Sequence, residues 1–198
     1  MKCRYDETGK HSRLKICWRK LLASSSLAIG TIFNIISVNK FMSDIVHWTY
    51  LPIWKPKNLS HEQILSAIRH ATNEWNFCMK GLVELKEGNG ELQIRICFDQ
   101  KIDKKLNPNR IAECRAFRNP RRWEISFDSR EKWHVGGWRK MLGIGYDLRS
   151  SALHEFGHVF ALPHAESVDF IMYHDYNDGK KLNSREVKNY REFFVNNL

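Results

Sequence analysis

Residues 154–164 have the sequence HEFGHVFALPH, in which three histidines and a glutamate lie within eleven residues. On a helix, positions i and i+4 share a face, so His154 and His158 can point at one metal ion. Glu155 follows the first histidine and can reach a metal-bound water. Pro163 helps to end the helix, because the residue before a proline avoids helical backbone angles. The chain can then bend back and bring His164 to the same ion.

Three imidazoles that leave one position open are typical of catalytic zinc, whereas structural zinc has a closed shell of four protein ligands. The pattern HExxH also arises by chance, and two surface histidines are then the simpler interpretation. The added histidine six residues after the second favours a metal site. A zinc site with a downstream glutamate as third ligand is the alternative. Glu186 is its candidate, but His164 makes it unnecessary.

The segments around this stretch alternate between helical and strand periodicity. Ser60 and Gln63 have the spacing of a capping box at a helix start, and apolar residues follow at helical spacing up to Cys78. A strand–helix–strand series followed by two helices indicates α+β or α/β with a single mixed sheet. The other predicted helices are Leu148–Leu162 and Ser184–Val195; the predicted strands are Trp48–Leu51, 82–86, 91–98 and 123–128, with residues 99–122 mostly loop around a short strand near Ala116.

The zinc stretch resembles the metzincin pattern HExxHxxGxxH, and its surroundings resemble the matrixins, the matrix metalloproteinase group. Ser167–Tyr173 resembles the Met-turn of that family, which would put Met172 beneath the zinc as an apolar floor. The resemblance covers residues 46–198. Its supporting matches are Phe127–Trp133 with the matrixin FDxxExW segment, Trp75 with the tryptophan of the first helix, and Leu182–Phe194 with the terminal helix.

The resemblance implies an α+β, metzincin-like fold. We expect a twisted, mostly parallel, five-stranded mixed sheet with three helices and an active-site cleft between N- and C-terminal subdomains. The local sequence Asn89-Gly90 favours a hairpin between strands 82–86 and 91–98. In matrixins the equivalent strands are parallel and are separated by the first strand, here near residues 46–51. We expect the family arrangement.

The resemblance also implies a zinc endopeptidase. Zinc would lower the pKa of its water towards about 7 and polarise the scissile carbonyl, with Glu155 as general base. An extended substrate would add a strand along the sheet edge near residues 112–118. The alternative function is a catalytically weak or inactive metzincin-like binding domain tethered to a membrane.

Several residues depart from the matrixin pattern. Ala161 replaces the glycine of the bend before the third ligand, and an alanine forced to positive φ costs on the order of 1 kcal/mol. Arg115 and Ser126 stand where matrixins usually place histidines of a structural zinc, so we expect that second zinc to be missing. His174 replaces the proline of the MYPxY run, whereas Tyr176 is kept.

Asp128 and Glu131 are candidate calcium ligands, and the alternative is a solvated acidic pair. Three cysteines lie in the same part of the chain, so at most one bridge can form among them, and their spacing matches no zinc-binding cysteine pattern. They are Cys78, Cys97 and Cys114.

Residues 1–20 form a basic tail with seven basic and two acidic side chains, half of the net charge of +10. Residues 21–38 are uncharged and read as a signal-anchor or a cleavable signal, with a buried helix as the third interpretation. Both signal interpretations predict a secretory-route catalytic domain, residues 39–198, outside the cytosol.

No nucleic-acid motif accompanies the charge, so we expect no nucleic-acid partner. We expect a monomer.

Overall fold

The structure is a computed structural model of the 198-residue chain, and it describes residues 44–102, 109–118, 121–136, 145–175 and 181–196. The basic tail and the hydrophobic segment 21–38 lie outside these ranges, so what we expect of them stays a prediction. Among the described residues, none of the helices combines the length and apolar character needed to cross a bilayer.

Five strands form one sheet in the order β2-β1-β3-β5-β4. All neighbours in it are parallel except β4, which pairs antiparallel with β5 at one edge. The expected five-stranded, mostly parallel mixed sheet is therefore confirmed. The strands are β1 (Asp44–Tyr50), β2 (Val83–Glu87), β3 (Gln93–Asp99), β4 (Ala112–Arg118) and β5 (Arg121–Asp128); a separate short pair joins β6 (Trp133–His134) to β7 (Tyr146–Asp147).

Strand β1 lies between β2 and β3, as expected from the matrixins, and this order excludes a hairpin through Asn89-Gly90. Three apolar side chains of β1, Val46, Trp48 and Tyr50, are all buried in the core. Parallel pairing of β1 with both strands takes the place of the hairpin.

The region predicted to be mostly loop contains a longer strand than expected. Strand β4 runs over seven residues, and β5 begins at Arg121, two residues before the predicted start. The polar and basic residues of this region favoured a loop, but β4 is an edge strand that pairs antiparallel with β5, the next strand along the chain, and a sheet edge tolerates such side chains.

The described residues form three helices, α1 (His61–Cys78), α2 (Leu148–Val159) and α3 (Ser184–Asn196). Helices α1 and α2 contact the sheet, and α3 contacts α1. Helix α1 begins with the predicted capping box, in which Gln63 N donates to Ser60 Oγ (3.1 Å) and Ser60 N donates to Gln63 Oε1 (2.8 Å). The indole Nε1 of Trp75 donates to Leu153 O (2.8 Å) and so joins α1 to α2. Helix α2 ends at Val159, three residues earlier than predicted.

Helix α3 is connected to the Met-turn by the buried carboxylate of Glu186. Its Oε2 accepts from Asn183 N (3.0 Å) while Glu186 N donates to Asn183 Oδ1 (2.9 Å), which is a second capping box. Its Oε1 accepts from Ile171 N (2.5 Å) and from the Tyr190 hydroxyl (3.1 Å). One side chain thus satisfies the helix start and holds the backbone of the Met-turn.

Replacing Glu186 with glutamine is expected to lower the free energy of unfolding by about 1–3 kcal/mol. An amide offers one acceptor oxygen, so its NH₂ group would face one of the donors that the carboxylate now accepts from. Urea denaturation measures the change. Glu192→Gln on the same helix is the matched control, because this side chain is exposed and its ion pair with Lys188 within the described residues is long, 3.9 Å. Equal effects of the two substitutions would contradict the role of Glu186.

Candidate metal centre

Three imidazoles meet at one point of the cleft. The ligand atoms of His154, His158 and His164 all lie within 4.8 Å of one another, and Nε2 of His158 lies 3.2 Å from Nε2 of His164. A metal site of this kind needs at least three His, Cys, Asp or Glu side chains close together. Among the described residues, these three histidines form such a group. The structure therefore brings together the three residues that the sequence singles out.

Backbone carbonyls orient the two histidines of α2. Nδ1 of His154 lies 2.8 Å from Ile171 O, and Nδ1 of His158 lies 3.0 Å from Leu162 O. A carbonyl oxygen only accepts, so both Nδ1 atoms must carry the proton and donate it. The lone pair is then on Nε2, the atom that points to the common centre, as in metal-binding histidines whose other nitrogen is hydrogen-bonded.

The bend that returns the chain to His164 is at Ala161, whose φ is +58°. Its backbone N donates to His158 O (3.0 Å), and Leu162 N donates to Gly157 O (3.1 Å), which closes the end of α2. Ala161 therefore adopts the left-handed conformation that the family's glycine would adopt without strain. The three imidazoles converge despite this substitution.

Met172 is fully buried and packs against α2 at Gly157. A Cβ atom at Gly157 would overlap the Met172 sulfur and would lie 3.2 Å from the indole of Trp75. Glycine is required at this position because the Met-turn approaches the helix so closely. Met172 O also accepts from Ala165 N (2.7 Å), which connects the Met-turn to the residue after the third histidine.

Glu155 is buried, with 7% of its surface exposed, and its Oε2 has no hydrogen-bond partner among the described residues. Its pKa is raised to about 8, chiefly by burial and in addition by the nearby charge of Glu113, while Arg110 opposes the rise. A buried polar atom without a partner indicates a missing water, ion or ligand. Glu155 and the three histidines line the same cleft, so a cation and its water would supply that partner.

The donor set fits zinc. Burial lowers the pKa of His154 to about 4 and that of His158 to about 3. Both rings are therefore neutral at physiological pH, which is the protonation state that a metal binds. Glu186, the alternative third ligand, is fully buried under the Met-turn and engaged with its backbone. Three neutral imidazoles are the ligands that the site offers.

The cleft has a volume of about 860 Å³. Strand β4 and the residues leading into it line one side, and α2 and the Met-turn line the other. His174 also lines the cleft; its Nε2 lies 3.4 Å from Asp175 Oδ2, and its ring packs on Tyr173. Tyr176 lies outside the described residues.

The other departures from the matrixin pattern have defined contacts. Arg115 forms an ion pair with Glu113 at 2.5 Å, and the hydroxyl of Ser126 lies 3.6 Å from Cys97 Sγ. The carboxylate of Asp128 accepts from both Nε (2.8 Å) and the terminal nitrogen (2.7 Å) of Arg130, so a calcium ion would compete with a guanidinium there. The calcium site stays a prediction.

The thiols of Cys78, Cys97 and Cys114 are unbridged.

The sequence suggests Glu186 only as an alternative metal ligand. It does not reveal that the Glu186 carboxylate holds the backbone of Ile171 in the Met-turn. The spacing of Asn183 and Glu186 is that of a capping box, which could have revealed half of this role. Its bond to Ile171 depends on the tertiary fold and has no local signal.

Among known protein families, the sequence model of a peptidase family described as Matrixin matches residues 41–194. No curated protein matches the chain.

Ala161→Gly is expected to raise the free energy of unfolding by about 1 kcal/mol, because glycine adopts positive φ without the steric cost of a Cβ. Urea denaturation of the metal-free protein measures it. Ala165→Gly is the control: Ala165 is not among the described residues with positive φ, so glycine there should only destabilise. A loss of stability in both variants would show that the bend is unstrained.

The metal-free protein is expected to lose stability as the pH falls from about 6.5 to about 4. In this window the unfolded histidines bind protons, whereas burial keeps His154 and His158 neutral in the folded chain. Acid therefore favours the unfolded state. Urea denaturation across the window, with chelator present, should give a shallower pH dependence for His158→Gln than for the wild type. The same dependence in both would refute the assignment.

Proposed function

Because the chain belongs to the matrixin family, we propose that it is a zinc-dependent endopeptidase that hydrolyses peptide bonds of protein substrates. The observation that supports this best is the convergence of three imidazoles beside a buried carboxylate in one cleft. Catalytic zinc sites provide three protein ligands, whereas structural zinc sites provide four, so the three histidines would suit a catalytic zinc.

The histidines would hold zinc through their Nε2 atoms. Zinc, when bound, supplies a Lewis acid that polarises the scissile carbonyl and makes water more acidic. Glu155 would then serve as general base, and its carboxylate, which lines the cleft, would accept the proton of the attacking water and pass it to the leaving amine.

Glu155 has to be ionised for this role. Burial raises its pKa to about 8 in the metal-free chain. A divalent cation nearby favours the charged form of a carboxylate and so lowers that pKa. Loading of the metal and activation of the base are thereby coupled.

The substrate would lie as an extended strand along β4. This strand pairs with β5 on one side only, and residues 112–115 line the cleft. An unpaired strand edge offers its N–H and C=O groups to an added strand. Binding through the main chain needs few side-chain contacts, which suits a protein substrate.

The protein acts on the secretory route, anchored in a membrane through residues 21–38 with the catalytic domain outside, or secreted if that segment is cleaved. The uncharged segment after a basic tail supports this orientation, since basic residues stay on the cytosolic side. We expect it to act as a monomer without nucleic acid.

A membrane-tethered binding domain without turnover is the second candidate, and the strained Ala161 is the observation that favours it. Strain of about 1 kcal/mol is small beside the binding energy of a zinc site, which is on the order of 10 kcal/mol. The retained Glu155 has no evident use in a domain that only binds.

Glu155→Gln is expected to lower kcat on peptides by about 10²- to 10⁴-fold because the general base is lost. The bound zinc should stay at one ion per chain, since the three ligands are unchanged. Peptide cleavage with metal analysis of the full-length chain measures both. His164→Ala is the contrasting variant and should lose zinc as well as activity.

A wild-type chain that holds zinc but cleaves nothing in a broad peptide library would favour the binding domain. Equal cleavage by wild type and Glu155→Gln would remove Glu155 from the mechanism.

A further inference from the structure

The loop between β1 and α1 contains the tripeptide Asn58-Leu59-Ser60, which has the pattern of an acceptor for N-linked glycosylation. Nowhere else in the 198-residue sequence does an asparagine stand two residues before a serine or threonine. This pattern also arises by chance, so the surroundings of Asn58 decide whether it suits a sugar chain.

The structure holds the tripeptide at the surface. Asn58 and Ser60 are exposed, whereas Pro56 and Leu59 are buried and fix the loop to the core. A sugar chain is bulky and hydrated, so its acceptor has to face water in the folded protein. Asn58 meets this requirement.

The amide of Asn58 can keep its structural contact when a sugar is attached. Its Nδ2 donates to Trp133 O at the start of β6. A carboxamide nitrogen has two N–H bonds, and replacing one of them by a bond to a sugar leaves the other as a donor. The modified residue is therefore compatible with the fold.

Ser60 serves both the acceptor pattern and the fold. Its hydroxyl accepts from Gln63 N (3.1 Å) as the N-cap of α1. Aspartate also caps helices but does not complete the acceptor pattern, whereas threonine does both. Substitutions at this one position can therefore separate the two roles.

The same loop exposes two large apolar side chains. Ile53 is 51% exposed and Trp54 is 58% exposed, and the φ of Trp54 is +54°, a region that bulky residues rarely adopt. Lys55 Nζ donates to Leu59 O (2.7 Å), which folds this part of the loop back towards the residue after Asn58. A sugar chain on Asn58 would start within reach of both apolar side chains. Exposed apolar patches favour association, and a hydrated cover would prevent it.

We propose that Asn58 is a site of N-linked glycosylation and that its sugar chain covers Ile53 and Trp54. The donor is a lipid-linked oligosaccharide pyrophosphate of the secretory route. The bond between its first sugar carbon and the pyrophosphate oxygen breaks, a bond from that carbon to Nδ2 forms, and Nδ2 loses one proton to water. The modification rests on the secretory-route part of the proposed function and is independent of peptide cleavage.

Synthesis of the full-length chain in the presence of endoplasmic-reticulum microsomes tests the modification. Gel mobility is compared before and after treatment with peptide N-glycosidase. Wild type and Ser60→Thr should each carry one sugar chain that the treatment removes. Asn58→Gln and Ser60→Asp should carry none, although Ser60→Asp keeps a helix cap. A wild type without sugar, or an unchanged sugar chain in Asn58→Gln, would overturn the proposal.

Glu91→Thr distinguishes a failure at Asn58 from a failure of the secretory route. It completes an acceptor pattern at Asn89, in the exposed loop before β3. Sugar on Asn58→Gln/Glu91→Thr beside an unmodified wild type would overturn the glycosylation of Asn58 and leave the secretory route standing. No sugar on either chain would overturn both, and peptide cleavage by the same full-length chain still decides the peptidase function separately.

Fluorescence quenching tests the covering of the apolar pair. Acrylamide should quench the tryptophan emission of the glycosidase-treated wild type more strongly than that of the glycosylated chain. Trp54→Phe is the control and should show no such difference, because the other tryptophans among the described residues are buried. Equal quenching of treated and untreated wild type would overturn the covering and leave the modification of Asn58 standing.

Discussion

The site depends on two backbone carbonyls that hold the first two histidines with Nε2 pointing at one centre. Ile171 O fixes His154 and Leu162 O fixes His158, and each bond sets both the ring orientation and the tautomer. Neither carbonyl belongs to the body of α2. Leu162 is brought into place by the bend at Ala161, and Ile171 by the Met-turn. The metal centre can therefore form only when the segments after α2 have folded back onto it.

Elements that do not touch the centre hold those segments. Glu186 of α3 accepts from Ile171 N, the residue whose carbonyl orients His154. Gly157 lets Met172 approach α2 more closely than any side chain would allow. Glu186 holds the backbone of Ile171, and Ile171 in turn orients the ring of His154. A small shift of α3 would therefore be transmitted to that imidazole. The buried carboxylate of Glu186 is a structural part of the metal centre.

The zinc stretch could be predicted because its spacing alone places two imidazoles on one helix face and a third after a helix stop. The capping box of Ser60 and Gln63 could be predicted for the same reason, because both residues lie close together in the chain. The order of the sheet needed the family resemblance, since Asn89-Gly90 signals a hairpin, whereas the long-range pairing of β1 with both strands has no local signal. The Glu186–Ile171 bond could not be predicted. Polar residues near helix starts usually serve as caps, and their partners across the fold leave no pattern in sequence.

X-ray absorption at the zinc edge of the full-length, zinc-loaded chain tests the coordination most directly. It should show three imidazole nitrogens at about 2.0–2.1 Å, one further light-atom ligand and no sulfur. In His164→Ala the same measurement should show no more than two imidazoles. Two imidazoles in the wild type, or a sulfur ligand from one of the free thiols, would contradict a centre built from His154, His158 and His164.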